Sequence, residues 1–154
     1  MTLEIEHKYL LKDDSYKKFV TKSFRICQGY LSTDKYRTVR VRIFGEEAFI
    51  TIKGVNTGDT RPEFEYKIPV PDATYMLENM CSQSLISKVR NIIEFGGNTW
   101  EIDEFGGNLQ GLVVAEIEIP SSDYKYDIPP FVGKDVTNDS RYYNSNLIRF
   151  GIPK

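Results

Sequence analysis

Apolar and polar residues alternate along most of this chain. In the stretch from Glu4 to Leu11, Ile5, His7 and Tyr9 fall on one side while Glu4, Glu6 and Lys8 fall on the other. A period of two belongs to a β-strand. It returns in Ile26–Ser32, Tyr36–Phe44, Glu47–Gly54, Pro62–Val70, Ile86–Phe95, Asn98–Phe105 and Leu112–Pro120. Gly45-Glu46 and Gly96-Gly97-Asn98 supply turns between neighbouring runs. Three stretches depart from the pattern. Asp13, Asp14 and Ser15 are N-cap residues ahead of an apolar stripe of Tyr16, Phe19, Val20 and Phe24, which predicts a helix from Asp14 or Ser15 to Phe24. A second helix is predicted from Ala73 to Cys81, capped by Asp72, with Tyr75, Met76 and Met80 as its core stripe. The spacing within Asp135–Leu147 suits a capped terminal helix. Many antiparallel strands with few helices make a sheet or a barrel, a mainly β (α+β) fold.

The polar half of the alternation is ionic. Arg40 and Arg42 oppose Val39, Val41 and Ile43; Thr51 and Lys53 oppose Ile50 and Ile52; Glu63, Glu65 and Lys67 oppose Phe64, Tyr66 and Ile68. Lys88 and Arg90 flank Val89, Glu101 and Asp103 flank Ile102, and Glu116 and Glu118 flank Ile117. For one strand, a solvated outer face explains this well. Across seven strands that explanation weakens, because little Ser, Thr or Gln dilutes the charge. The alternative is a barrel with charged faces turned inward and apolar faces covered by helices or a partner. Such an interior has to stay wet or hold ions, since unpaired buried charge costs several kcal/mol per group. Cationic side chains together with carboxylates suit polyphosphates, whose oxygens need cations and are bridged by divalent metals.

Length and composition narrow the classes. The 154 residues fit a single domain over the whole chain, 1–154, with a core that needs no staples. With 40% hydrophobic residues and a net charge of −2, disorder is disfavoured. That balance gives no support to a nucleic-acid partner. No apolar run approaches a membrane span, and the charged N-terminus does not resemble a signal peptide, so a cytoplasmic, membrane-free protein is expected. Cys27 and Cys81 form no CxxC and are expected as free thiols. Gly106-Gly107-Asn108 reads as a turn, because no GxxxxGK[ST] loop is present.

Taken together, Glu4-x-Glu6-x-Lys8, Gln28-Gly29-Tyr30-Leu31, Arg40-Val41-Arg42, Thr51-Ile52-Lys53, Glu63-Phe64-Glu65, Lys88-Val89-Arg90, Glu116-Ile117-Glu118 and the tail Arg141–Leu147 resemble the CYTH superfamily of triphosphate tunnel metalloenzymes. The resemblance runs through nearly the whole chain in order. It implies an eight-stranded antiparallel closed tunnel with an ionic interior, flanking helices and a C-terminal helix. It also implies a hydrolase of phosphoanhydride bonds that uses Mg2+ or Mn2+. The short bacterial members are mostly inorganic triphosphatases, which split tripolyphosphate into pyrophosphate and phosphate. Adenylyl cyclase, thiamine triphosphatase and nucleoside triphosphatase are alternatives within the fold, and a polyphosphate-binding regulatory module is the non-enzymatic one. A homodimer also fits the resemblance.

By position, the resemblance makes Glu4, Glu6, Glu116 and Glu118 metal ligands, with Glu63 or Glu65 completing a second metal site. It makes Lys8, Arg40, Arg42, Lys53, Lys88 and Arg90 the phosphate-binding set. Tyr30 and Lys88 form a pair associated with phosphatase members, Glu65 orients the attacking water, and Asp103 is a weaker site candidate. His7, where relatives often carry Arg, is expected to pack on the opposite face. On this assignment Glu6→Gln abolishes metal-dependent turnover and leaves the fold intact. Phosphate release by the purified variant measures it, and near-normal turnover would remove Glu6 from the metal ligands.

Overall fold

A computed structural model describes residues 2–81 and 85–154. Its strands are β1 (Thr2–Leu11), β2 (Lys22–Ser32), β3 (Thr38–Phe44), β4 (Glu47–Lys53), β5 (Thr60–Ile68), β6 (Ile86–Phe95), β7 (Asn98–Phe105), β8 (Val113–Glu118) and β9 (Val132–Asp135). The helices are α1 (Val70–Asn79) and α2 (Asn144–Phe150). The sheet runs β5-β4-β3-β2-β6-β7-β8-β1, and β5 also pairs with β1. Eight antiparallel strands therefore close into a barrel, and the ninth lies on β1 outside the ring. Gly96 and Gly97 join β6 to β7 with φ of +59° and +79°, the two positive values of a hairpin turn that glycine adopts without strain.

The alternation is inverted, with ions inside and hydrocarbon outside. The outward faces of β1, β6, β7 and β8 bury Tyr9, Ile93, Trp100, Ile102, Ala115 and Ile117 beneath Tyr16, Ile119, Phe131 and Val132. On the other flank, Ala73 and Leu77 of α1 cover Val41 and Ala48. Gly29 of β2 allows a close approach there: a Cβ on it would lie 2.8 Å from the Cys81 sulfur. The inward faces turn apolar at one end, where Ile86, Phe105 and Val114 meet Leu109, Leu112 and Leu147 of α2. That apolar cluster plugs the tunnel.

Three expectations need correcting. Residues 15–19 make only a short 3-10 turn, and Lys22 already begins β2. Tyr16 is buried and donates its hydroxyl to Glu104 Oε1 at 2.6 Å. Phe24 is a strand residue whose ring lies 4.9 Å from that of Phe44. The aromatic spacing fitted a helix, yet cross-strand pairing with β6 won over Lys22–Gln28. Helix α1 begins earlier than expected, with Pro69 as N-cap and Asp72 inside its first turn, and it buries Ala73 and Leu77 while Tyr75 and Met80 of the expected stripe are exposed. Proline suits a helix start because its missing N–H has no partner there. In the tail, β9 and a 3-10 turn at Ser140–Tyr142 precede the short α2.

Trp100 is fully buried at the centre of the outer cluster. Trp100→Ala is expected to cost about 3–5 kcal/mol of unfolding free energy through lost burial and a residual cavity. Chemical denaturation measures this.

Candidate active site: the ionic tunnel

The barrel encloses a cavity of about 420 Å³, within the range of small-molecule sites. Glu4, Glu6, Lys8, Tyr30, Arg40, Arg42, Lys53, Glu63, Glu65, Arg90, Glu116 and Glu118 all line it. Strand register explains the convergence. Glu6 and Lys8 face Glu118 and Glu116 across β1–β8, while Tyr30 and Arg40 are partners across β2–β3. Thr51 and Lys53 face Glu65 and Glu63 across β4–β5.

Most of these charges are matched by opposite ones. Lys53 Nζ lies 3.0 Å from Glu4 and 3.3 Å from Glu63. Lys8 Nζ lies 3.5 Å from Glu116 and donates to the Tyr142 carbonyl at 3.0 Å. Glu65 Oε2 accepts from the Thr51 hydroxyl at 2.9 Å and lies 3.6 Å from Arg40. Two regions remain unbalanced. Among the described residues no cation lies within salt-bridge reach of Glu6 or Glu118. Equally, among the described residues no carboxylate pairs with Arg42, whose Nε is held by Gln28 Oε1 at 2.9 Å, and Arg40 Nε has no hydrogen-bond partner. The lumen thus offers carboxyl groups without a cationic partner at one place and a guanidinium without a carboxylate at another.

The titration behaviour follows. Burial, with Glu116 and Glu4 nearby, pushes the Glu6 carboxyl well above its ordinary value. Burial would raise Glu4 as well, but the Lys53 ammonium and a hydrogen bond from Glu63 hold it at about 2. Glu63 is pushed up to about 7 by burial and by Glu4. Burial and Glu4 raise Glu118. For Glu116, burial acts to raise the value, but Lys8, Arg90 and Lys88 together lower it. Among the described residues no three acidic, His or Cys side chains converge closely enough to hold a metal without movement. The donor set still fits a hard cation: carboxylate oxygens are the ligands Mg2+ and Mn2+ prefer, and a divalent cation would favour the ionised form of Glu6 and Glu118, whose values are raised without one.

Lys88 stands apart. It is fully buried inside the barrel, between the cavity and the apolar end, with Nζ 2.7 Å from Asp103 Oδ2 and over the Phe105 ring. No hydrogen bond joins it to Tyr30 among the described residues. Burial pulls its ammonium down to about 8, against the opposing pull of Asp103. Asp103 also grips Arg90 through two bonds of 2.8 and 2.9 Å, the forked geometry that fixes a guanidinium. Arg90 reaches on to Glu101 at 2.9 Å and Glu116 at 3.7 Å. Asp103 is thus an organiser of the wall and does not line the cavity. His7 points out of the barrel, as expected.

The lumen also holds residues that the sequence reading had not assigned to the site. Arg61 lines it, with Nε and Nη2 both donating to the Gly54 carbonyl at 3.0 and 2.9 Å. Its parity with Glu63 and Glu65 was the available signal. Glu101 shares the parity of Asp103 in the same way. Thr137, Tyr143, Asn144 and Ser145 come from the tail, where no periodicity announces a direction.

Burial works against ionisation of Asp103, but Lys88 and Arg90 hold its carboxyl well below the ordinary 3.8. Its folded value is depressed, so its contribution to stability is present above 3.8 and is lost as pH falls below it. Asp103→Asn leaves the buried Lys88 without a carboxylate partner and takes the forked contact from Arg90, which keeps Glu101 and Glu116. At pH 7 it is expected to cost about 3–5 kcal/mol. Urea unfolding should show that cost, and the gap from the parent should narrow in acid.

Known proteins share this architecture and its sequence. Residues 2–148 match the CYTH domain. An inorganic triphosphatase of Acetivibrio thermocellus is 44% identical over 149 residues, covering 97% of this chain and 95% of the relative. Another, from Nitrosomonas europaea, is 32% identical over 148 residues, covering 94% of this chain and 95% of the relative. The crystal structure of an inorganic triphosphatase superposes with a TM-score of 0.69 at 31% identity, over 100% of this chain and 99% of that one. By sequence and by fold, the chain belongs to the CYTH domain family.

Proposed function

We propose that this protein is a metal-dependent inorganic triphosphatase that hydrolyses tripolyphosphate to pyrophosphate and phosphate inside the tunnel. One observation carries the reading. The lumen has unmatched carboxylates at Glu6 and Glu118 and an unmatched guanidinium at Arg42. A lone anion would balance only Arg42, and a lone cation only the carboxylates. A polyphosphate carrying divalent cations balances both. The names of the relatives support the same substrate class.

In this proposal Glu4, Glu6 and Glu118 hold one Mg2+ or Mn2+, and Glu63 or Glu65 with Glu116 helps hold a second. Divalent cations supply neutralisation of phosphate oxygens and a lowered pKa for bound water. Arg40, Arg42, Lys8, Lys53 and Arg90 grip the phosphate chain and stabilise charge on the departing pyrophosphate. Glu65 orients water for in-line attack, its Oε2 already fixed by Thr51. Tyr30, in register with Arg40, donates its hydroxyl to a leaving-group oxygen. Lys88 acts at one remove, balancing Asp103 so that Arg90 stays aimed into the lumen.

The test is a panel of tripolyphosphate, ATP, thiamine triphosphate and pyrophosphate, each with Mg2+, Mn2+ or Ca2+, following phosphate release and cyclic AMP formation. Tripolyphosphate is expected to turn over fastest, and Arg42→Gln should lower kcat/KM for it by roughly 10²-fold. Faster turnover of a nucleotide, or cyclic AMP as product, would assign a different substrate. Tight tripolyphosphate binding without product under every metal would make the protein a binding module.

A further inference from the structure

A hydrogen-bonded chain outside the tunnel ends on the tunnel wall. His7, the one histidine of the chain, emerges between Glu6 and Lys8 on the outer face of β1. Its Nε2 lies 2.8 Å from Asp59 Oδ2, and its Nδ1 lies 2.6 Å from the Tyr126 hydroxyl. Burial tends to raise the Asp59 carboxyl, but hydrogen bonds from Ser122, His7 and Thr60 hold it below its ordinary value. A carboxylate only accepts, so Nε2 carries the proton and donates. Asp59 Oδ1 accepts from Ser122 at 2.7 Å and from Thr60 at 3.0 Å.

Asp59 also stands at a gap in the barrel. Along one edge, β1 pairs with β5 only through Thr2–Ile5, and β9 takes over only from Tyr9. Among the described residues no strand lies beside Glu6 and Lys8 on that edge, although the Val136 amide donates to the Lys8 carbonyl at 2.8 Å. The Asp59 carbonyl accepts the Glu6 amide at 3.2 Å instead, and the Thr137 hydroxyl accepts the Lys8 amide at 3.0 Å. The same Asp59 borders the cavity. One residue thus closes the wall with its backbone and is pinned from outside by His7.

We propose that His7 is a positioning residue. Its bond to Asp59 fastens the β4–β5 connection, residues 54–59, across this gap and holds Glu6 facing the lumen. The proposal rests on the lumen being the hydrolytic site. It predicts that the Nε2 side of the imidazole matters and that the Nδ1 side does not, which two amides separate. His7→Gln places a donor where Nε2 was, and His7→Asn reaches only as far as Nδ1.

With tripolyphosphate and Mn2+, His7→Asn is expected to lower kcat roughly tenfold with little change in KM, as for a misplaced catalytic group. Amide exchange at Glu6 and across residues 54–60 should rise in parallel. His7→Gln should restore both readouts. Asp59→Ala, on a connecting segment away from the apolar core, should reproduce the loss, and adding His7→Asn to it should cost nothing further. Equal behaviour of the Asn and Gln variants, wild-type behaviour of Asp59→Ala, or additive losses in the double variant would each overturn the proposal. If the parent protein releases no phosphate, the functional reading fails. Amide exchange, which needs no turnover, still decides whether His7 fastens the connection.

Discussion

Charge inside an enclosed space has to be compensated, and this fold is organised by that requirement. A buried charge without a partner costs several kcal/mol, so a lumen built from Lys, Arg and Glu is tolerable only as a network. Lys53 bridges Glu4 and Glu63, Lys8 faces Glu116, and Asp103 holds Lys88 and Arg90. Such pairs are weak sources of stability, because desolvation offsets most of their attraction. Their value lies in geometry: they hold long, flexible side chains in set positions before any ligand arrives. The imbalance at Glu6, Glu118 and Arg42 is where the network leaves something for a ligand to complete.

Turning ions inward has a structural cost on the other face. The apolar side of each strand is left outside and has to be covered. Two separate covers do this: the 15–19 turn with Phe131 and Val132 over β1, β6, β7 and β8, and α1 over β2, β3 and β4. Coverage stops short on β4 and β5, where Ile52, Phe64 and Tyr66 stay substantially exposed. The core of this protein is therefore a shell around the barrel wall, while the centre is polar. At one end the lumen itself becomes apolar and is stoppered by Leu147.

Much of this was legible in the sequence, for a simple reason. Period-two alternation is a local signal, and its unusual sign, ionic against apolar, repeats in Glu4/Glu6/Lys8, Arg40/Arg42 and Glu116/Glu118. What was not legible depends on register. Whether Lys88 meets Tyr30 or Asp103 is decided by how β6 pairs with β7, where Arg90 lies opposite Asp103 and Lys88 opposite Phe105. No local pattern contains that. Strand β9 is four residues with a glycine, too short to show a period. The aromatic spacing of Tyr16, Phe19 and Phe24 served a turn and a strand as well as it would have served a helix. The tail residues at the lumen arrive from irregular backbone, whose direction is fixed by what it packs against.

The position of β1 in the ring bears on how the chain reaches this state. It is made first, yet its partners β5, β8 and β9 span residues 60 to 135. Loop closure over such separations is slow. During synthesis β1 therefore waits for β5 before it can pair at all, and its edge toward β8 stays open until nearly the whole barrel has emerged. An exposed strand is a template for pairing with other chains, and charged side chains are the usual protection. Glu4, Glu6 and Lys8 are such side chains. The residues that end up facing the lumen also keep a nascent edge solvated until its last seam closes.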